Sequence, residues 1–179
     1  MRGPDESGDG LNASTERRPL DDVLIRRAFS FADEAIRAAA VQLERAREEG
    51  SDPARAAQWW IDLQFFIVAL RRMRTAAQLA SKPDRYRREV YRAIARFDNA
   101  VPKLRLLRNV GEHIDEYSLG IGHDPSIQWR QLQVGKWDGK VFYWLDVELN
   151  VEEAMTAAER LLADLNAVRQ KAGSYCPGS

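Results

Sequence analysis

The sequence predicts a mainly α protein, a four- to five-helix bundle with one β-hairpin inserted before the C-terminal helix. Three observations predict it. Apolar residues recur at helical spacing in successive segments punctuated by Gly and Pro. One stretch, around Asp138-Gly139, carries hairpin turn chemistry between two apolar runs. Asn150-Val151-Glu152-Glu153 then reads as a capping-box variant, with Asn in place of Ser or Thr, opening a last helix. A chain of 179 residues suits one domain, placed at residues 20–173. Residues 1–19 are rich in Gly, Pro, Ser, Asp and Glu and read as a disordered tail, and 174–179 as a second, flexible one.

The first helix is expected to start at Asp21 or Asp22 as cap, with Val23, Ala28, Phe31, Ala35, Ile36, Ala39 and Leu43 inward and Gly50 as its stop. Asp52-Pro53 opens the second. Its surface of Trp59, Trp60, Leu63, Phe66, Ile67, Leu70 and Met73, widened by Ile61, Phe65 and Val68, marks a central helix. Asp62 within it requires a partner or a path to solvent. Pro83-Asp84 starts the third helix, striped by Tyr86, Val90, Ile94 and Phe97. A fourth segment, with Pro102 in its first turn, runs to about Tyr117 with Leu104, Leu107, Val110, Ile114 and Tyr117 toward the core, and Gly120 and Gly122 stop it.

The hairpin is placed at about 128–146. Counting outward from Asp138-Gly139 pairs Val134 with Tyr143 and Leu132 with Leu145 on one face. Gln133 pairs with Trp144 on the other, which leaves Phe142 and Trp144 as a surface for a protein partner. The last helix turns Val151, Met155, Ala158, Leu161, Leu162, Leu165 and Val168 inward and ends at Gly173.

Charge excludes some partners and leaves others open. Lys+Arg and Asp+Glu are both 27, so net charge alone demands neither nucleic acid nor membrane. The cations are nearly all arginine; only Lys82, Lys103, Lys136, Lys140 and Lys171 are lysine. Guanidinium forks suit phosphate and carboxylate recognition, although biased codon usage yields the same composition. The densest group is Arg71, Arg72, Arg74, Lys82, Arg85, Arg87, Arg88, Arg92 and Arg96, read either as an RNA-backbone patch or as a solvated face. The single cysteine, Cys176, excludes an intrachain disulfide and fits a reducing compartment. The longest apolar run, Trp59 to Leu70, is interrupted by Asp62 and Gln64 and falls short of a membrane span. With no apolar run at the N-terminus to act as a signal peptide, a cytoplasmic protein is expected. No cofactor fingerprint, nucleophile arrangement or metal-ligand spacing is present; His123 reads as a loop residue.

Chemistry concentrates in Leu104 to Tyr117, which holds His113 and, five residues ahead of it, Arg108-Asn109. On a helix Asn109 and Glu116 neighbour His113, whereas Arg108 points about 140° away and is better placed for Glu112. Arg108 and His113 converge only through a wrapped Arg side chain, a helix that unwinds near Gly111, or a second subunit. Gly111 itself calls for a close neighbour or for access near His113.

Four or five helices carrying an Arg-polar-x-x-x-His element late in the bundle resemble the HEPN class, the helical domains of toxin, CRISPR-associated and antiviral ribonucleases. The resemblance rests on Arg108, Asn109 and His113 and extends in topology over residues 21–117. It implies a homodimer whose paired motifs form a metal-free, RNA-cleaving cleft, with no cofactor. It makes His113 the general acid or base, Arg108 the holder of the scissile phosphate, and Asn109 the group that orients either one. The alternative is a non-enzymatic interaction domain, in which Arg108 pairs with Glu112 and His113 fastens its helix through Asn109 or Glu116.

Overall fold

The longest pair of helices is zipped by small residues. The computed structural model describes residues 10–48 and 57–174, with side chains described from Leu20 onward. Helix α1 spans Gly10–Arg47 and α2 spans Gln58–Ala80. Along α1 the buried positions Ile25, Ala28, Ala32, Ala35, Ala39, Leu43 and Ala46 are spaced by threes and fours, close to a seven-residue repeat. Leu63, Phe66, Leu70, Met73, Ala77 and Ala80 of α2 repeat in the same way. Alanine on one side and larger side chains on the other let the helices approach closely along their length. Asp62, 1% exposed, is held by the Arg45 Nε at 3.3 Å and by the Gln58 amide, which donates at 3.3 Å. That meets the demand its burial imposes.

Helix α3 (Asp84–Ala100) starts after Pro83, as expected, and buries Tyr86, Val90, Ala93, Ile94 and Phe97. Helix α6 (Val151–Gly173) buries Val151, Ala154, Ala158, Leu161, Leu165, Val168 and Ala172 against α1 and α3. Its start is capped by the Asn150 side-chain oxygen Oδ1, which accepts from the backbone amides of Glu152 and Glu153, while the Asn150 Nδ2 donates to the Glu153 carboxylate. Ion pairs Arg96–Asp164 and Lys171–Glu89 stitch α3 to α6 at 2.7 and 2.6 Å.

Two helical expectations need correction. Helix α1 starts at Gly10 rather than at Asp21 or Asp22, and its Val23 and Phe31 face solvent because the buried stripe runs through the alanines. The segment expected to run unbroken to Tyr117 is two helices, α4 (Leu104–Glu112) and α5 (Ile114–Ser118). They are separated by His113 at φ −120°, ψ 34°, and the break leaves Ile114 exposed while Tyr117 stays buried. Gly50, Asp52-Pro53 and Cys176 lie outside the described residues, as do residues 1–9 and 175–179 of the two expected tails.

The expected hairpin is instead a three-stranded antiparallel sheet, β1 (Lys136–Trp137), β2 (Val141–Trp144) and β3 (Val147–Asn150), in that order. Residues Trp129–Leu132, expected as strand, form a 3-10 turn closed by reciprocal Gln128–Gln131 bonds. Lys136 pairs with Tyr143 and Trp137 with Phe142, two residues out of the expected register. The Asp138 carboxylate accepts from the Lys140 and Val141 amides at 2.9 and 2.7 Å, and this moves the turn one residue on. Gly139, at φ 91°, then takes its first central position. The second turn, Leu145-Asp146, has both residues at positive φ, 55° and 57°, the geometry of a type I′ turn built without Asn or Gly. Gln131 donates to Asp146 at 2.6 Å, and Leu145 is buried, so both are anchored.

The faces are also the reverse of those expected, because the Phe142 and Trp144 side of β2 is the one that packs on α2. Phe142 and Trp144 are buried, not offered to a partner, and Tyr143 is the exposed residue between them. Trp60 of α2 meets Trp144 edge-on at 5.1 Å and Phe142 at 5.6 Å, so the sheet closes one end of the bundle through an aromatic cluster. The Trp137 indole N–H donates to the Ala46 carbonyl at 3.1 Å, satisfying an orphan acceptor in the last turn of α1.

Two consequences are measurable. A Cβ at Gly135 would overlap the Tyr143 carbonyl oxygen and press Phe142 and Trp144 at 3.2 Å. Gly135→Ala is therefore expected to lose about 1–3 kcal/mol in urea unfolding. The backbone amides of Val141 and Lys140 hold the Asp138 carboxyl below its usual value of 3.8. A carboxyl whose pKa is lower in the folded state stabilises the fold above its unfolded pKa. Its contribution is lost as pH falls through the lowered value. Acid unfolding of Asp138→Asn, followed from neutrality downward, should show a shallower loss of stability below about pH 4 than wild type.

Candidate functional site

Leu104, Leu107 and Val110 are buried and seat α4 on α2, which fixes where the polar side of α4 points. On that side Arg108 forms an ion pair with Glu112 one turn on, and its Nη1 donates to the Asn109 side-chain oxygen at 3.2 Å. Asn109 thus serves Arg108 rather than His113. The His113 side chain is 50% exposed, and its Nδ1 lies 3.3 Å from the Glu116 carboxylate. A carboxylate only accepts, so this contact places a proton on Nδ1 and, in the neutral ring, leaves the Nε2 lone pair unprotonated.

The three expected residues therefore fall into two groups. Arg108 and Asn109 touch each other, and His113 touches Glu116. Among the described residues no side-chain hydrogen bond or ion pair joins the groups. The break considered near Gly111 occurs two residues later, at His113 itself, although the His113 amide still donates to the Asn109 carbonyl and its own carbonyl accepts from the Tyr117 amide. Gly111 has a packing reason. A Cβ there would lie 2.5 Å from the Gln64 side-chain oxygen on α2. Beside it, Gln64 Nε2 and Trp144 Nε1 are buried with no hydrogen-bond partner among the described residues.

The long cation group divides once the helices are placed. Arg87 pairs with Asp84, and Arg96 with Asp164. Arg74 forms a two-pronged bond to Asp98 at 2.6 and 2.7 Å, which raises its pKa. Arg71 differs: its Nη1 is buried with no hydrogen-bond partner among the described residues, and its guanidinium is shifted down, first by burial and then by Arg74, Arg108 and Arg105 nearby. From sequence, Arg71 is only one member of that long cation group, and nothing connects it with Arg105 or Arg108. The arginine pairs 71/74 and 105/108, each spaced by three, were the available signal that two helices could each present two guanidiniums on one side.

His123 is exposed and lies in the loop after α5, where Asp124 accepts from the Ser126 amide and hydroxyl and is held below the usual carboxylate range. No group of ligating side chains suited to a metal ion occurs among the described residues. The exposed large apolar residues between α4 and the end of β2 are Ile114, Leu119, Ile121, Trp129, Val134 and Tyr143, and the expected Phe142 and Trp144 are not among them. No described helix is long and apolar enough to cross a membrane. The chain matches no family model, no curated protein and no solved structure.

Proposed function

We propose that the domain binds RNA and cleaves it without a metal ion, as a HEPN-like homodimer in which each subunit contributes Arg108, Asn109 and His113. The observation that supports this reading most is the exposed imidazole of His113, oriented through Nδ1 by Glu116, five residues after an arginine already paired with a carboxylate. In this reaction Nε2 takes the proton of a ribose 2′-hydroxyl, and the 2′-oxygen attacks the adjacent phosphorus. The 5′-oxygen leaves and takes a proton from the second subunit's imidazolium, giving a 2′,3′-cyclic phosphate and a 5′-hydroxyl. Arg108 exchanges Glu112 for the phosphate oxygens and stabilises the charge that develops on them.

A second reading is a protein-interaction domain without catalysis. The exposed Leu119 and Trp129, which line one surface hollow, favour it, since adjoining exposed apolar residues mark interaction surfaces. The deciding experiment incubates wild type and His113→Ala with labelled single-stranded and structured RNA in excess chelator. The ribonuclease reading expects cyclic-phosphate products from wild type alone. It fails if wild type leaves every substrate intact or if the variant cuts equally well.

A further inference from the structure

We propose that Arg71 and Arg74 of α2, with Arg105 and Arg108 of α4, form a phosphate-binding site in which Arg71 is the anchoring residue. The geometry begins with two helices in contact, α2 burying Leu70 and Met73 and α4 burying Leu104 and Leu107, each carrying two arginines three residues apart beside those buried positions. Like charges brought together this way oppose folding unless something answers them. Two carboxylates do so in part: Asp98 takes Arg74, and Glu112 takes Arg108. The side chains of Arg71 and Arg105 have no hydrogen-bond or ion-pair partner among the described residues, and one Arg71 nitrogen is sealed from solvent with its donors unused.

A buried guanidinium donor without an acceptor is costly, because it has given up water and received nothing in return. The missing acceptor must be compact, anionic and rich in oxygen lone pairs to serve forks arriving from two helices, and a phosphate group meets all three demands. The lowered Arg71 pKa agrees, since its second to fourth causes are the three neighbouring arginines that a bound anion would neutralise. The site lies on the same helix as Asn109 and ahead of His113, so a phosphodiester held there belongs to the strand that reaches the imidazole. Only this assignment to an RNA backbone, not the phosphate chemistry, rests on the reading above.

The test measures binding apart from cleavage. His113→Ala protein, which leaves the four arginines intact, is titrated with a labelled single-stranded RNA of about a dozen nucleotides, and separately with inorganic phosphate by calorimetry. Arg71→Gln and Arg105→Gln are each expected to weaken RNA binding about tenfold and to reduce the slope of log affinity against log salt by about one. Arg88→Gln, on the exposed side of α3, should leave both unchanged. The Arg71→Gln protein should melt no lower than its parent, because a like-charge contact is relieved, whereas a purely structural Arg71 would lower the melting point and leave affinity intact. If Arg71→Gln does not fold, the exposed Arg105 decides.

Phosphate binding without RNA binding keeps the site and removes RNA as its ligand. RNA binding without cleavage by wild type keeps the site and removes the ribonuclease. The proposal is overturned if neither probe binds, or if both glutamine variants bind as tightly as their parent.

Discussion

Phe142→Ala is expected to destabilise the protein by about 3–5 kcal/mol, the range for emptying a buried phenylalanine position. The residue is 0% exposed, at the junction where β2 meets α2, with the Trp60 ring at 5.6 Å and the Trp144 ring at 6.4 Å. Removing it unpacks two tryptophans as well as one phenyl ring, and neither neighbour collapses into the void without losing its own contacts. Domains of this size have about 5–15 kcal/mol of total stability, so the variant should be partly unfolded at modest urea concentration. The comparison is Tyr143→Ala, one residue along on the exposed side of the strand, which should lose well under half as much. Urea midpoints for the two variants check the orientation of the sheet. Equal losses would contradict it.

On the proposed ribonuclease reading, His113→Ala is expected to reduce RNA cleavage by about two to four orders of magnitude, the usual contribution of a positioned acid or base. Because the ring is half exposed and its only side-chain partner among the described residues is Glu116, the substitution should leave the melting temperature nearly unchanged. That separation of activity from stability distinguishes a chemical role from a packing one. Glu116→Gln provides an internal check. The amide keeps the shape beside Nδ1 but not the charge, so activity should fall by less than with His113→Ala. A mixed dimer of His113→Ala and Arg108→Ala subunits, assayed against each homodimer, would report whether the two halves of the motif act across the two-fold axis.

The helices were legible because their signals are local. Pro83 and Asp84 open α3, Asn150 caps α6, and the buried stripes of both follow from spacing alone. The sheet was legible in existence and wrong in detail, for two physical reasons. Val141-Phe142-Tyr143-Trp144 is apolar throughout, so a period of two cannot tell which residues face inward. Leu145-Asp146 carries none of the residues that ordinarily allow positive φ, so the turn creating β3 has no signature. The break at His113 was equally silent, since Gly111, the residue expected to permit unwinding, stays helical. The meeting of Arg71 with Arg105 and Arg108 depends on how α2 docks on α4, and no single-helix pattern encodes it.

The Trp137–Ala46 hydrogen bond links residues 91 positions apart in the chain. A ribbon this small gains little from its own ladder and draws its persistence from the bundle end it covers. Its amides should therefore become protected from deuterium only after α1 and α2 have docked, making the ribbon the last unit to assemble. In native-state exchange the amides of β2 and the final turn of α1 should open together, as one cooperative cap.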